Sequence, residues 1–169
     1  MKSLLVQGDA LLALKAIPPR SVQSCVTSPP YWGLRDYGIV GQIGIESDLS
    51  AYLRAIREVF GQVKRVLSDD GVLWLNIGDV YSSGNRKWRA PDKRNPHRAM
   101  GKDQRPDNPP GVKNKELVGL PWRITSLLQK QGWYWRSECI WQKPNAQPES
   151  VKDRPSNSHE YVMLFSKNE

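Results

Sequence analysis

The sequence predicts an α/β fold in which most strands run parallel, and three observations carry that prediction. Short apolar runs alternate with amphipathic stretches in the order strand, helix, strand, helix, strand. The run Val72-Leu73-Trp74-Leu75-Asn76-Ile77 is apolar almost without interruption, as a parallel strand covered by helices on both faces would be. The run ending at Thr27 breaks into Ser28-Pro29-Pro30, where neither proline can donate a ladder hydrogen bond, so the chain must leave the sheet.

Taken in order, Leu4-Leu5-Val6 reads as a first strand stopped by Gly8-Asp9. Leu11, Leu12, Leu14 and Ile17 then predict a short amphipathic helix, ended by Pro18-Pro19. Val22 to Thr27 is the second strand. Ser47 or Asp48 can cap the strongest helix, whose apolar positions from Leu49 to Leu67 recur at three- and four-residue steps. Asp70-Gly71 is expected to terminate it before the Val72 strand. Pro121 suits the first turn of a further helix reaching Gln131, with Gly132 as its stop. Trp133 to Gln142 and Tyr161 to Phe165 complete the strands.

The 169 residues suffice for one domain with its own core, and the balance of 38% hydrophobic and 25% charged residues is that of a globular chain. No apolar run approaches the ~20 residues that cross a bilayer, and the N-terminus lacks a secretory pattern, so a cytoplasmic address is expected. Cys25 and Cys139 sit in apolar and aromatic runs and read as buried, reduced thiols. With His97 and His159 as the sole histidines, no metal site is expected. His159-Glu160 reads instead as a hydrogen-bonded structural pair.

The net charge of +8 favours a polyanionic partner. Much of it lies between residues 82 and about 116, where ten Lys and Arg face four acidic residues among five prolines. That segment has too little apolar content for a core and is expected to be a mobile loop. Arg86, Lys87, Arg89, Lys93 and Arg94, with Trp88 among them, are its candidate phosphate contacts. A solvated linker is the plainer alternative.

Thr27-Ser28-Pro29-Pro30-Tyr31-Trp32 is the informative string. It falls at the C-terminal end of an expected parallel strand, where open α/β sheets bind ligands. A diproline turn with aromatics filling the core is the alternative. The chain here resembles the DNA amino-methyltransferases, which methylate cytosine N4 or adenine N6 and carry Asp, Asn or Ser before Pro-Pro-aromatic. Gly8-Asp9-Ala10-Leu11, residues 71–81, Gly119-Leu120-Pro121-Trp122-Arg123, residues 132–136 and 140–145, Asp153-Arg154-Pro155 and His159-Glu160 are similar to family segments too.

The resemblance implies a partial Rossmann-like, S-adenosylmethionine-dependent methyltransferase fold, catalytic half first, as a single truncated domain over residues 1–169. It assigns Ser28, Pro29, Pro30 and Tyr31 to the catalytic loop, and Asp9 and Ser28 to the cofactor. Double-stranded DNA is the implied partner, and Ser28 leans the target toward cytosine N4.

The chemistry suits such a loop. An exocyclic amino group is a poor nucleophile because its lone pair is delocalised into the ring. Accepting its protons at Ser28 Oγ and the Pro29 carbonyl would localise that pair, while Tyr31 could stack on a base turned out of the duplex. Direct methyl transfer then draws on proximity and an aligned dipole field.

The family's glycine-rich cofactor loop, Asp-Pro-Phe-x-Gly-Ser-Gly, has no match. Nor do the first two family strands, which would lie between the Leu4 and Val22 strands, so an interrupted sheet is expected. By that reading the chain alone binds S-adenosylmethionine weakly, does not turn over, and self-associates or pairs with a separate cofactor-half chain. A noncatalytic DNA-binding remnant is the competing function. Methylation of a protein glutamine is a third, and Ser28 argues against it.

Overall fold

The computed structural model describes residues 3–82, 106–146, 149 and 151–169. Among the described residues, three helices and four strands form in the order α1 (Ala10–Ala16), β1 (Val22–Thr27), α2 (Leu49–Val66), β2 (Leu67–Ile77), α3 (Leu120–Lys130), β3 (Tyr134–Gln142) and β4 (His159–Ser166). One sheet collects all four strands in the spatial order β1-β2-β4-β3. β1 is parallel to β2, and β4 is antiparallel to both β2 and β3. Three strands therefore point one way and β4 opposes them. Among the described residues, no helix is long and apolar enough to cross a membrane.

Local chemistry explains the helices. Asp48 begins α2 by accepting the Ala51 N–H at 2.8 Å, and Asp9 does the same for α1 with Leu12 at 2.9 Å. α3 is started differently. Its cap is Gly119 in the left-handed region (φ 71°), which offers no side chain, and Asp79 replaces it from across the fold. Asp79 Oδ1 accepts from Leu120 at 2.9 Å and Oδ2 from Gly119 at 3.0 Å, which locks the helix to the end of β2.

The core lies between one face of the sheet and two helices. Tyr52, Ile56, Phe60 and Val63 of α2 and Leu120, Ile124 and Leu128 of α3 pack on Leu73, Leu75, Ile77, Met163 and Phe165. On the other face Val72, Trp74, Asn76, Val162 and Leu164 are half-buried, and Val26 is 78% exposed. The uninterrupted apolar run predicts cover on both faces; among the described residues helices cover one.

Other expectations need correction. Leu4-Leu5-Val6 forms no strand: Leu4 and Leu5 are 88% and 95% exposed, and no described strand lies beside them to pair their backbone. The sheet is consequently continuous, with β1 at its edge, rather than interrupted between two flanking strands. Asp70-Gly71 does not separate α2 from the next strand. Leu67 caps α2 in extended geometry and β2 starts at once, since Lys167 Nζ (2.7 Å, to Leu67 O) and the Lys167 N–H (3.1 Å, to Gly71 O) hold that stretch. Cys25 is half-buried and Cys139, on the edge strand β3, is exposed. Of the basic segment, residues 83–105 lie outside the described residues. Its close is tied down: Ser82 N–H donates to Glu116 O at 2.9 Å, and Tyr81 bridges Leu117.

Candidate active site

Two neighbouring parallel strands, β1 and β2, end side by side, and the loops that leave them form the site. Thr27 is paired with Leu75 in register, so Ser28 emerges beside Asn76, Ile77 and Gly78. Ser28 is exposed, Pro29 and Pro30 are half-buried, Tyr31 is half-buried and Trp32 is buried. The diproline corner is thus open at Ser28 and anchored at Trp32.

Four contacts hold the corner. The Tyr52 hydroxyl, deep in the core, donates to the Pro30 carbonyl at 3.0 Å. Burial pushes the Tyr52 phenol well above its ordinary range, so it stays a donor. Trp32 Nε1 donates to Glu46 O at 3.0 Å, and Gly33 N–H to Gly44 O at 2.7 Å. Gly44 lies so close that a Cβ there would stand 3.1 Å from both Pro30 Cβ and the Tyr31 carbonyl oxygen, and its φ of 105° favours glycine as well. Sequence reasoning missed Tyr52 and Gly44. The one is an ordinary apolar position on a helix, and the other sits in a glycine spacing that fits no motif.

Tyr31 does not stand free. Its ring packs on Gly78, where a Cβ would lie 3.0 Å from Tyr31 Cε2 and 3.1 Å from Glu160 Cγ. Burial raises the Tyr31 phenol, a hydrogen bond with Ser28 lowers it, and the charge and hydrogen bond of Glu160 raise it again. Glu160 in turn accepts from Asn76 Nδ2 at 3.0 Å and pairs with Lys143. Burial pushes its carboxyl up, but the Lys143 and Asn76 hydrogen bonds, the Lys143 charge and Tyr31 hold it below the usual carboxylate range.

His159 and Glu160 accordingly do not bond to each other as a pair. They are neighbours on a strand and point to opposite faces. The His159 ring meets the Tyr161 hydroxyl at 3.1 Å, and Glu160 turns to Asn76.

Beyond Trp32 a cleft of about 710 Å³ opens, lined by Trp32, Leu34, Tyr81, Pro106, Lys115 and Arg154 among others. Arg154 stacks on Tyr81 at 3.5 Å and pairs with Glu149. Ser28 lies outside the lining of this cleft. Asp9 is exposed, with Oδ1 engaged as the α1 cap. Arg86, Lys87, Arg89, Lys93 and Arg94 fall outside the described residues.

A family model described as DNA methylase matches residues 22–169. The type II methyltransferase M.XycI of Xanthomonas campestris pv. cyanopsidis is 59% identical over 167 residues, covering 99% of this chain and 55% of that protein. M.Cfr9I of Citrobacter freundii is 58% identical, covering 98% of this chain and 54% of that protein. The chain therefore spans about half the length of these curated relatives.

Among solved structures, a Thermus thermophilus protein described as a putative DNA modification methylase, complexed with S-adenosyl-L-methionine, superposes with a TM-score of 0.63. Identity is 24%, covering 96% of this chain and 52% of that one. The cytosine-N4-specific PvuII DNA methyltransferase gives 0.60 at 18% identity, covering 95% and 47%. At these identities the likeness is one of fold.

Proposed function

The chain belongs to the N6/N4 DNA methylase family, and from that premise we propose that its diproline corner serves methylation of an exocyclic amino group in DNA. The proposed target is cytosine N4 ahead of adenine N6, reached by turning the base out of the duplex. The observation that carries the reading is an exposed Ser28 hydroxyl on a corner fixed from behind by Tyr52 and Trp32. A fixed acceptor is what an amino group needs if its lone pair is to be localised without reorganisation.

S-adenosylmethionine supplies an electrophilic methyl group when bound. The donor set suits its cationic end, because Ser28 oxygen, the Tyr31 ring and the Glu160 carboxylate gather at one strand end. Ser28 would hold the methyl-bearing end and Asp9, by its exposed carboxylate, the nucleoside end. Tyr31 stays a candidate for stacking on the base through whichever ring surface Gly78 leaves open.

The test is a tritiated-methyl transfer assay with nucleoside analysis on the full-length protein. Ser28→Ala is expected to cut turnover by about 10²-fold or more, the usual scale for removing an oriented polar group from a reacting centre. Near-normal turnover would remove Ser28 from the mechanism, and methyldeoxyadenosine in place of methyldeoxycytidine would reverse the base assignment.

Arg86, Lys87, Arg89, Lys93 and Arg94 are proposed as phosphate contacts on double-stranded DNA. Neutralising Arg86, Lys87 and Arg89 together should flatten the plot of log affinity against log salt by about 0.9 for each phosphate that is no longer neutralised. An unchanged slope rejects them.

A second reading, a subunit that pairs with itself or with a separate cofactor-binding chain, draws on the edge position of β1 and on exposed Leu4, Leu5 and Val6. Sedimentation velocity showing one monomeric species across concentrations would count against self-pairing.

A further inference from the structure

Gly78 has no conformational reason to be glycine. It lies outside the left-handed region that Gly33 and Gly44 occupy, so its backbone is open to any residue. It is buried, one residue past the end of β2, and the space where a side chain would start is already taken. A Cβ there would stand 3.0 Å from Tyr31 Cε2, 3.1 Å from Glu160 Cγ and 3.6 Å from Glu160 Cδ. The glycine is there for room. Gly44 is a weaker witness, because its φ of 105° favours glycine even without its close neighbours.

Of the three groups that meet at Gly78, two are held. The backbone is pinned on both sides. Ile77 is fully buried and paired with Tyr161, and Asp79 has both carboxylate oxygens engaged by the N–H groups of Gly119 and Leu120. Glu160 is paired with Trp141 of β3 through its backbone. Its carboxylate accepts from Asn76 Nδ2 at 3.0 Å and pairs with Lys143, whose own backbone N–H donates to Ser158 O at 2.7 Å. The Tyr31 ring, half-buried at an open corner, is the group that can move.

We propose that Gly78 is a positioning residue: its missing side chain is the seat of the Tyr31 ring, and it fixes where that ring meets the substrate base. The proposal rests on the reading of Tyr31 as the ring that stacks on the base. With any side chain at position 78, the ring must retreat from 3.0 Å to an ordinary contact of 3.4 Å or more, a displacement of about 0.4 Å. A misplacement of about 1 Å can cost about 10²-fold in rate, so about 0.4 Å corresponds to a loss of about five- to tenfold.

The experiment is a double-mutant cycle on the full-length protein, with Gly78→Ala and Tyr31→Ala made singly and together. Urea unfolding reads the contact, and tritiated-methyl transfer to DNA reads its use. Gly78→Ala should lower the urea midpoint, and most of that loss should vanish in the Tyr31→Ala background, where no ring stands in the way. Equal losses in the two backgrounds, or none in either, overturn the proposal. In the transfer assay Gly78→Ala should lower kcat about five- to tenfold, with the dissociation constant for duplex DNA little changed. It should cost nothing further once Tyr31 is alanine. Unaltered kcat, or the same loss in both backgrounds, refutes the positioning role.

Should Gly78→Ala fail to fold, the paired variant decides: folding regained in Gly78→Ala/Tyr31→Ala upholds the seat, and continued failure rejects it. If the unaltered protein transfers no methyl group, the reading of the site fails, and the urea cycle still decides whether Gly78 seats the ring.

Discussion

The two faces of the sheet are made by the same strands through the same alternation, and they do different work. On one face Leu73, Leu75, Ile77, Met163 and Phe165 are sealed under α2 and α3. On the other, Val72, Trp74 and Leu164 keep partial contact with solvent, and the row ends in Asn76 and Glu160. The lesson is one of dielectric. A carboxylate beside Tyr31 would be ruinous under the helices, where an ion forfeits its hydration. It is tolerable on the face where Lys143 and Asn76 can reach it. The covered face supplies stability and the other supplies the polarity of the site.

Urea unfolding can break or sharpen that division. Leu75→Ala, on the covered face, should cost about 2–5 kcal/mol, because the site cannot collapse around the missing atoms. Asp79→Ala comes next, at about 1–2 kcal/mol on the scale of a lost helix cap, since the N–H groups of Gly119 and Leu120 lose their acceptor. Val26→Ala, on the open face of β1, should stay within about 0.5 kcal/mol. If Val26→Ala approached the Leu75→Ala cost, the faces would not differ as described.

Much of the candidate site is legible in the sequence. The position of Ser28-Pro29-Pro30-Tyr31 at a strand end follows from proline chemistry, and the strand itself from six contiguous residues. The Asp48 cap and the α2 stripe are equally local. The helix–strand boundary at Leu67 is not legible, because Asp-Gly reads as a turn wherever it falls, whereas here Lys167 straps the stretch into an extended path. Tyr52 reads as one more apolar position on a helix, since nothing near it in sequence announces a hydrogen bond to Pro30, 22 residues away.

By itself, then, the amino-acid order determined the helices, the strands, the diproline corner and the family, because periodicity, caps and prolines act over a few adjacent residues. Tertiary structure alone decided that Asp79 starts α3, that Glu160 answers to Asn76, Lys143 and Tyr31, and that Leu4-Leu5-Val6 pairs with nothing described. Those outcomes depend on the order β1-β2-β4-β3, in which the last strand enters between two earlier ones. A strand carries no local mark of which neighbours its backbone will find, and polar side chains at its end inherit their partners from that choice.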